Sequence, residues 1–320
     1  MPKPSMYRQK RALITGGAGF IGSHLARQLD RLGAKVRVLD DLSSGRKENL
    51  YNINHDFVLG SILDTNCLSR AMRDIDVVFH MAGFVSVPNS FIQEALCMAT
   101  NHLGTLNTLR AAGLAGVNRV LFAGTAAVYG DSPPMPCREQ DITAPSSPYA
   151  LSKLAAEQLI VEWGQNTKLD TVSLRLFNVY GGGSNKSSIG VVDAFATSIR
   201  SQGYGTILGD GLNTRDFIYI DDVVQAMIQA GFRQERLHGK ILNIGSGVST
   251  SVLALHKIMA CKIAPQSPTT PSPRIAPKRR GDARDSVASI ENARTELSWA
   301  PQFTLERGIH KMLASSQLSI

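Results

Sequence analysis

Short apolar runs alternate with longer amphipathic stretches along the first half of the chain. The runs are rich in Val, Leu, Ile and Phe, which is typical of buried strands, and the stretches between them have helical periodicity. This alternation predicts an α/β fold with a doubly wound parallel sheet. The predicted strands are Val36–Leu39, Phe57–Leu59, Val77–His80, Val120–Ala123 and Val172–Leu176, and the helices are Leu63–Arg73, Ser90–Leu114 and Tyr149–Gln165.

The second half of the chain is less regular. Its segment Gln266–Pro277 is rich in proline, which predicts a loop with one short strand at Arg274–Ala276. We therefore predict two lobes. Residues 1–177 form the sheet domain, and residues 178–320 mostly form a smaller substrate-binding lobe, with residues 217–245 returning to the sheet domain.

A glycine motif follows the first apolar run, Ala12–Ile14. Gly16 permits a tight turn after the strand, and Gly19 lets the backbone approach a pyrophosphate. Gly22 lets the next helix, predicted at Ile21–Leu32, pack close to the sheet. The free N–H groups at the start of that helix attract phosphate. The motif therefore predicts a dinucleotide-binding turn.

An acidic residue ends the next predicted strand, Lys35–Leu39. Asp40 lies 18 residues after Gly22, close to the spacing of the acid that binds ribose hydroxyls in dinucleotide sites. A carboxylate there repels a 2′-phosphate, so NAD is favoured over NADP. The basic Arg46 and Lys47 nearby leave NADP open.

Tyr149 and Lys153 are four residues apart in a predicted helix, so they share one face. A phenol ordinarily has a pKa of about 10, too high for a base at neutral pH. We expect the Lys153 ammonium to lower the pKa of Tyr149 by up to about three units. The pair then forms a general base beside the cofactor.

Four motifs occur in order along the chain: Thr15–Gly22, Ser147–Lys153, Gly211–Val223 and Arg279–Asp282. Together they resemble the extended short-chain dehydrogenase/reductase family, and within it the NAD-dependent sugar-nucleotide epimerase/dehydratase group. The resemblance extends from about Arg11 to Trp299. It implies a Rossmann sheet with a smaller C-terminal lobe, NAD as cofactor and a nucleotide sugar as substrate. It also implies a homodimer formed through Ser90–Leu114 and Tyr149–Gln165.

The resemblance places the third catalytic residue at Thr125, just before Val128-Tyr129-Gly130. On the residues alone, a threonine that satisfies the end of its own strand is an equally good interpretation. The family's 4,6-dehydratases carry Thr-Asp-Glu at this position, because water elimination needs an acid and a base. This chain has Ala126-Ala127, which can supply neither, so a dehydratase is disfavoured.

The turn after Tyr180 bears on the sugar. Relatives that act on glucuronate place an arginine just past this Tyr-Gly turn, whereas this chain has only Lys186 nearby. We therefore expect a neutral hexose and NAD-dependent 4-epimerisation of a UDP-hexose. UDP-GlcNAc/UDP-GalNAc is placed ahead of UDP-glucose/UDP-galactose. The alternatives are another NAD(P)-dependent dehydratase, 4-ketoreductase or glucuronate epimerase, and a catalytically silent NAD-binding protein.

The resemblance also assigns binding residues. The chain departs from the family at Ser61, where relatives commonly have an aspartate beside the adenine. The implied cofactor contacts are Gly16, Gly19, Phe20, Ile21, Gly22, Asp40, Asp41, Ser43, Ser61, Ile62, Met81, Ala82, Gly83, Asn101, Tyr149, Lys153 and Phe177. The implied substrate contacts are Ser86, Thr125, Asn178, Val191, Thr206, Leu208, Arg215, Arg279, Asp282 and Ser286.

Among these residues, Ser286 bears on sugar size. Epimerases restricted to UDP-glucose and UDP-galactose resemble one another in having tyrosine at this position, beside the C2 substituent. A small residue there leaves room for an N-acetyl group. Because the alignment around Ser286 is short, a surface serine before Val287-Ala288 is the alternative interpretation.

Composition and charge argue against nucleic-acid, metal and membrane partners. The net charge is +8, but the basic residues are dispersed, which argues against a nucleic-acid partner. Their densest cluster, Lys278–Arg280, falls in the motif implied to bind nucleotide phosphate. The four cysteines have no metal-ligand spacing, so we expect free thiols and no metal site. The polar N-terminus and the lack of long apolar runs predict no membrane partner and a cytoplasmic location.

Overall fold

The computed structural model describes residues 7–182, 190–264, 271–277 and 284–317. The strands are β1 Arg11–Thr15, β2 Lys35–Asp40, β3 His55–Leu59, β4 Val77–His80, β5 Arg119–Thr125, β6 Asp170–Leu176, β7 Asn178–Tyr180, β8 Thr206–Leu208, β9 Thr214–Tyr219, β10 Lys240–Ile244, β11 Ser249–Ser251 and β12 Arg274–Ala276. The helices are α1 Phe20–Arg31, α2 Thr65–Ala71, α3 Val87–Ser90, α4 Glu94–Met98, α5 Gly104–Leu114, α6 Pro148–Asn166, α7 Val191–Gln202, α8 Ile220–Gly231, α9 Val252–Ile263, α10 Glu291–Leu297 and α11 Leu305–Gln317.

The described residues form a seven-stranded parallel sheet in the order β10-β6-β5-β4-β1-β2-β3. The ends of β1 and β4 are in register, with Thr15 opposite His80, and Thr125 at the end of β5 is opposite Leu176. The strand order reverses between β1 and β4, and parallel α/β sheets bind ligands outside the carboxyl ends of their strands at such a point. The predicted doubly wound parallel sheet is confirmed.

Helices cover both faces of this sheet. On one face α1 and α8 pack together over a core that includes Leu25, Val38 and Phe79. On the other face α2, α5 and α6 pack over a second core that includes Leu13 and Phe122. The strand β3 lies at the edge of the sheet, where Leu59 is 62% exposed. The strand predicted at Phe57–Leu59 is confirmed within β3, but the prediction that it is buried was wrong.

The predicted helix Ser90–Leu114 is interrupted. Ser86 caps the short α3, whose early Pro88 needs no N–H partner, and a turn separates α3 from α4. Between α4 and α5, Ala99–Leu103 forms a wide π-helical turn. The apolar periodicity of the segment continues through these breaks, which is why the sequence pattern did not reveal them.

The later part of the chain adds two small sheets. The strands β11, β9 and β7 form one, and β12 pairs with β8 in the other. The predicted strand Arg274–Ala276 is confirmed. Of the segment predicted to return to the main sheet, β10 does so beside β6, whereas β9 pairs with β7 and β11 instead. The division into two lobes at residue 177 stays a prediction.

Two ion pairs are buried in the central strands. Arg119 of β5 bonds Asp170 of β6 at 2.6 Å, and Arg175 of β6 bonds Glu157 of α6 at 2.7 Å. The side chains of the second pair are 3% and 0% exposed. Glu157 also accepts a hydrogen bond from the Ser173 hydroxyl at 2.8 Å. A buried charge needs such partners, so each pair fixes the geometry of the strands around it.

Membrane-spanning helices and metal-ion clusters are both absent from the described ranges. No described helix is both long and apolar enough to cross a bilayer. No group of three or more His, Cys, Asp or Glu side chains within these ranges could hold a metal ion.

Candidate active site

A cavity of about 460 Å³ opens at the carboxyl edge of the sheet, beyond β1, β2, β4, β5 and β6. The glycine motif lines it together with Thr125, Tyr149 and Lys153. The structure thus brings the two separate motifs of the sequence to one site. The implied cofactor contacts on its wall are Gly16, Gly19, Phe20, Ile21, Gly22, Asp40, Asp41, Ser43, Ser61, Ile62, Met81, Ala82, Gly83, Tyr149, Lys153 and Phe177.

The glycine turn is tightly packed against the neighbouring loop. Gly16 has φ +68°, and a Cβ added there would lie 2.7 Å from the backbone nitrogen of Ala82. A Cβ at Gly22 would overlap the carbonyl oxygen of Gly16. Helix α1 begins after Gly19 without a side-chain cap, and Phe20, Ile21 and Gly22 of its first turn line the cavity. This is the arrangement that binds a diphosphate.

Asp40 ends β2 and is only 6% exposed, yet it reaches the cavity wall. One carboxylate oxygen accepts a hydrogen bond from the Ala18 backbone at 2.9 Å, and the other from the Leu42 backbone at 2.8 Å. Burial raises the pKa of Asp40, and these two bonds act in the opposite direction. Each oxygen keeps a second lone pair, so the carboxylate can still accept a bond from a ribose hydroxyl.

Thr125 and Tyr149 interact directly. The Thr125 hydroxyl oxygen accepts a bond from the Ala127 backbone at 3.2 Å and caps the short turn after β5. Burial raises the pKa of Tyr149, whereas its hydrogen bond with Thr125 lowers it. We expected Lys153 to lower the pKa of Tyr149 below its ordinary value. That expectation was wrong for this structure, because desolvation of the phenol outweighs the favourable contacts.

Lys153 is 7% exposed and lies on the same face of α6 as Tyr149. Burial lowers the pKa of Lys153 to about 7, while Glu157 and Cys97 act in the opposite direction. Desolvation always disfavours the charged form of a lysine. The protonation state of Lys153 therefore changes near neutral pH.

His80, at the end of β4, is buried next to Met81 of the cavity wall. Its Nδ1 lies 2.7 Å from the Thr15 hydroxyl and its Nε2 lies 3.0 Å from the Thr105 hydroxyl. Thr105 donates its proton to the Asn101 carbonyl, so it accepts from Nε2–H, and Nδ1 accepts from Thr15. Burial, followed by the charge of Lys153, lowers the pKa of His80 to about 3, so the ring is neutral.

Asn101 does not line the cavity, although it was predicted to contact the cofactor. Its amide nitrogen donates to the Phe84 carbonyl at 3.1 Å and to the Ser152 hydroxyl at 2.8 Å, and its amide oxygen accepts from the Phe84 backbone at 2.8 Å. The side chain thus ties the loop after β4 to α6. Neither this role nor that of His80 was apparent from the motifs.

Only some of the implied substrate contacts lie on the cavity wall. Thr125 and Asn178 line the cavity, whereas Arg279 and Asp282 lie outside the described residues. The wall residues that were not predicted include Gly190 and Asp193. The predicted contacts that do not line the cavity are Ser86, Val191, Thr206, Leu208, Arg215 and Ser286.

The local structure explains several of these differences. The Ser86 hydroxyl accepts from the Asn89 backbone and caps α3. Arg215 is buried, and its guanidinium donates to the carbonyl oxygens of Thr214 at 2.7 Å and of Arg284 at 3.2 Å. Both side chains therefore bond backbone groups next to them. Their role in substrate binding stays a prediction.

The chain is similar to known nucleotide-sugar enzymes. UDP-glucose 4-epimerase of Mycolicibacterium smegmatis is 37% identical over 310 residues, which cover 94% of this chain and 96% of the relative. The structure of UDP-glucose 4-epimerase from Thermus thermophilus in complex with NAD has a TM-score of 0.87 and 33% identity, covering 97% of this chain and 100% of the other.

A second solved structure is closer in shape. UDP-N-acetylglucosamine 4-epimerase from Methanobrevibacter ruminantium, in complex with UDP-N-acetylmuramic acid, has a TM-score of 0.90 and 29% identity, covering 98% of this chain and all of the other. A family model, the NAD dependent epimerase/dehydratase family, matches residues 12–245. That match spans β1 to β10, with the glycine motif, Thr125, Tyr149 and Lys153 inside it. The chain therefore belongs to the NAD-dependent epimerase/dehydratase family.

Proposed function

We propose that the protein is an NAD-dependent 4-epimerase of a UDP-hexose. The observation that carries the proposal is the convergence of Thr125, Tyr149 and Lys153 on the cavity that the glycine turn and Asp40 also line. The residues fit NAD, since the uncapped start of α1 can bind the diphosphate and the Asp40 carboxylate can accept from a ribose hydroxyl. When bound, NAD supplies the hydride acceptor.

The chain's own residues then handle the proton. The phenolate form of Tyr149 would take the proton of the sugar's 4′-hydroxyl as C4′ gives up its hydride to the bound cofactor. It would return that proton to O4′ once the hydride has been returned to the opposite face of C4′. Thr125, which bonds Tyr149, would orient the reacting oxygen. The charge of Lys153 would stabilise the phenolate that accepts the proton. Asn178 on the cavity wall is suited to hold the diphosphate while the 4-keto sugar turns over.

The residues after Thr125 favour epimerisation over loss of water. Ala126 and Ala127 supply neither the acid nor the base that elimination of water needs.

A panel of nucleotide sugars tests this function. The purified protein is incubated with NAD and with UDP-, dTDP-, GDP- and CDP-sugars, and the products are separated by chromatography. We expect conversion of a UDP-hexose to its 4-epimer without net consumption of NAD. Stoichiometric formation of NADH, loss of water or release of CO₂ would contradict the proposal.

The preference for NAD over NADP can be tested with a variant of Asp40. The protein should bind NAD more tightly than NADP, and Asp40→Ala should reduce that preference, since the carboxylate repels a 2′-phosphate. Titration calorimetry with both cofactors measures the ratio. Because both oxygens of Asp40 also accept from backbone N–H groups, the circular dichroism spectrum of Asp40→Ala is the control for folding. Equal affinity for both cofactors in the unmodified protein would contradict the assignment.

The preference for a sugar with an N-acetyl group at C2 can be tested with a variant of Ser286. We propose UDP-GlcNAc/UDP-GalNAc as the preferred pair, with Ser286 leaving room for the N-acetyl group. Ser286→Tyr should slow this reaction by about 10-fold or more, the cost of ~1–3 kcal/mol of overpacking, while sparing UDP-glucose/UDP-galactose. Ser289→Tyr, three residues further on, is a comparison for non-specific effects. Equal loss of both activities in Ser286→Tyr would contradict the proposal that Ser286 leaves room for the N-acetyl group.

The quaternary structure is part of the same proposal. The predicted homodimer face lies on the helices around α6, against which α4 and the turn Ala99–Leu103 pack. Leu96, Leu103 and Leu151 on these elements are 48%, 45% and 52% exposed. Light scattering after size exclusion should give a mass near twice 34.6 kDa, which Leu151→Glu reduces. A monomeric unmodified protein would refute the dimer.

A further inference from the structure

The ammonium of Lys153 rests on an aromatic ring. Its Nζ lies 4.0 Å from the centroid of Phe122 in β5. Phe122 is 1% exposed and belongs to the core under α5 and α6, so the contact is shielded from water. A cation over a ring face is attracted by the ring's quadrupole, and the attraction grows when both groups are desolvated.

We propose that Phe122 is a positioning residue whose ring face keeps the Lys153 ammonium charged and fixed at the cavity edge. This inference rests on the proposed function, in which Lys153 stabilises the phenolate of Tyr149. A Cβ added at Gly83, on the cavity wall, would lie 3.8 Å from the Lys153 Nζ. The ring and this edge of the cavity thus enclose the ammonium.

Other ionisable groups also lie around Lys153. Glu157, one turn further along α6, raises the pKa of Lys153, but it is also bonded to Arg175 and Ser173. The Cys97 thiol of α4 has a raised pKa because it is buried, so it is neutral at pH 7. His80 of β4 is neutral as well. Burial also raises the pKa of the Tyr149 phenol, so the ring of Phe122 acts on the ammonium together with the shared charge of Glu157.

The proposal predicts a direction for the pH dependence. Burial lowers the pKa of Lys153 to about 7, so its charge is lost as the pH rises through that value. A weaker ring quadrupole lets the proton leave at a still lower pH. The basic limb of the rate profile, which reports the loss of this charge, then moves in the same direction.

Fluorinated phenylalanines test the contact with little change in shape. Phe122 is replaced in the full chain by 4-fluoro-, 3,5-difluoro- and 3,4,5-trifluorophenylalanine through stop-codon suppression. The Lys153 pKa is followed by NMR in the NAD-loaded protein with ¹³C-labelled lysine, and Lys153→Met identifies the resonance. We expect a stepwise decrease of about one pH unit in total, with the basic limb of kcat/KM following it.

The same series at Phe79 is the control. That ring is buried in the neighbouring strand β4, on the opposite face, against Phe232, so its fluorination should leave the Lys153 pKa unchanged. A constant Lys153 pKa along the Phe122 series would overturn the proposal, and so would a falling pKa without a shift of the basic limb. Failure of the unmodified protein to convert any UDP-sugar contradicts the proposed function instead, since the NMR titration needs no turnover.

Discussion

Replacing Tyr149 by phenylalanine is expected to lower kcat by about 10²–10⁴-fold while leaving NAD bound. The phenol is the group that moves the proton in the proposed reaction, and it lies in the cavity beside Thr125. Removing one oxygen atom leaves the packing of α6 intact. The rate of UDP-hexose conversion gives the loss of activity, and chromatography of the nucleotide released on denaturation gives the NAD content.

The control for this substitution is Tyr51→Phe. Tyr51 is 63% exposed and lies away from the cavity, so its hydroxyl should not affect the rate. Normal turnover by Tyr149→Phe would remove Tyr149 from the mechanism. Loss of activity together with loss of NAD would point to a damaged cofactor site.

Breaking the buried ion pair should produce the largest loss of stability. Arg175→Met removes the partner of Glu157 and leaves a carboxylate that is 0% exposed without its cation. Such a change typically costs about 3–5 kcal/mol. The free energy of unfolding, measured by urea titration with circular dichroism, should fall by that amount. The length of the side chain is largely kept, so the loss reports the ion pair together with the bond from Arg175 to the Glu139 carbonyl and its contact with the Tyr129 ring.

An exposed ion pair serves as the comparison. Arg294 and Glu291 are 3.0 Å apart on α10, with side chains 52% and 72% exposed. Arg294→Met should cost about 0.5 kcal/mol or less, because water screens such pairs. A similar small effect in Arg175→Met would mean that the buried pair adds nothing beyond packing. The double variant Arg175→Met with Glu157→Gln should recover part of the loss, since the uncompensated charge is then gone.

Local sequence signals predicted the central part of the fold. The apolar run before the glycine motif became β1, and the helix predicted at Ile21–Leu32 is α1, shifted by one residue. Ser147 and Pro148 mark the start of α6, where the Ser147 hydroxyl accepts from the Ala150 backbone. Caps and glycine turns depend on neighbouring residues, so the sequence reveals them.

Features that depend on distant residues were missed. The exposure of Leu59 follows from β3 being the last strand in the sheet, which no local pattern records. His80 and Arg175 are polar residues in predicted apolar strands, and buried polar groups need hydrogen-bond partners. This was the one sequence signal that each side chain is paired inside the protein. The identity of those partners, Thr105 and Glu157, depends on the packing of α5 and α6.

The electrostatics of the candidate site were harder still. The spacing of Tyr149 and Lys153 predicted their shared face, but not the balance between charge and burial. Desolvation raises the pKa of the phenol and lowers that of the lysine, so burial acts against the charged form of each group. Motif spacing carries no information on solvent access, which decides that balance.

The π-helical turn Ala99–Leu103 holds one residue more than an α-helical turn does. Because each helical residue rotates the chain by about 100°, the same extra residue in a regular helix would turn everything after it by that angle. The wide turn takes up the residue locally, so Leu109 stays in the core and Asn107 stays within reach of the Ile62 carbonyl. Family members that lack one residue here should therefore have a regular α-helical turn in its place, with the flanking helices unmoved.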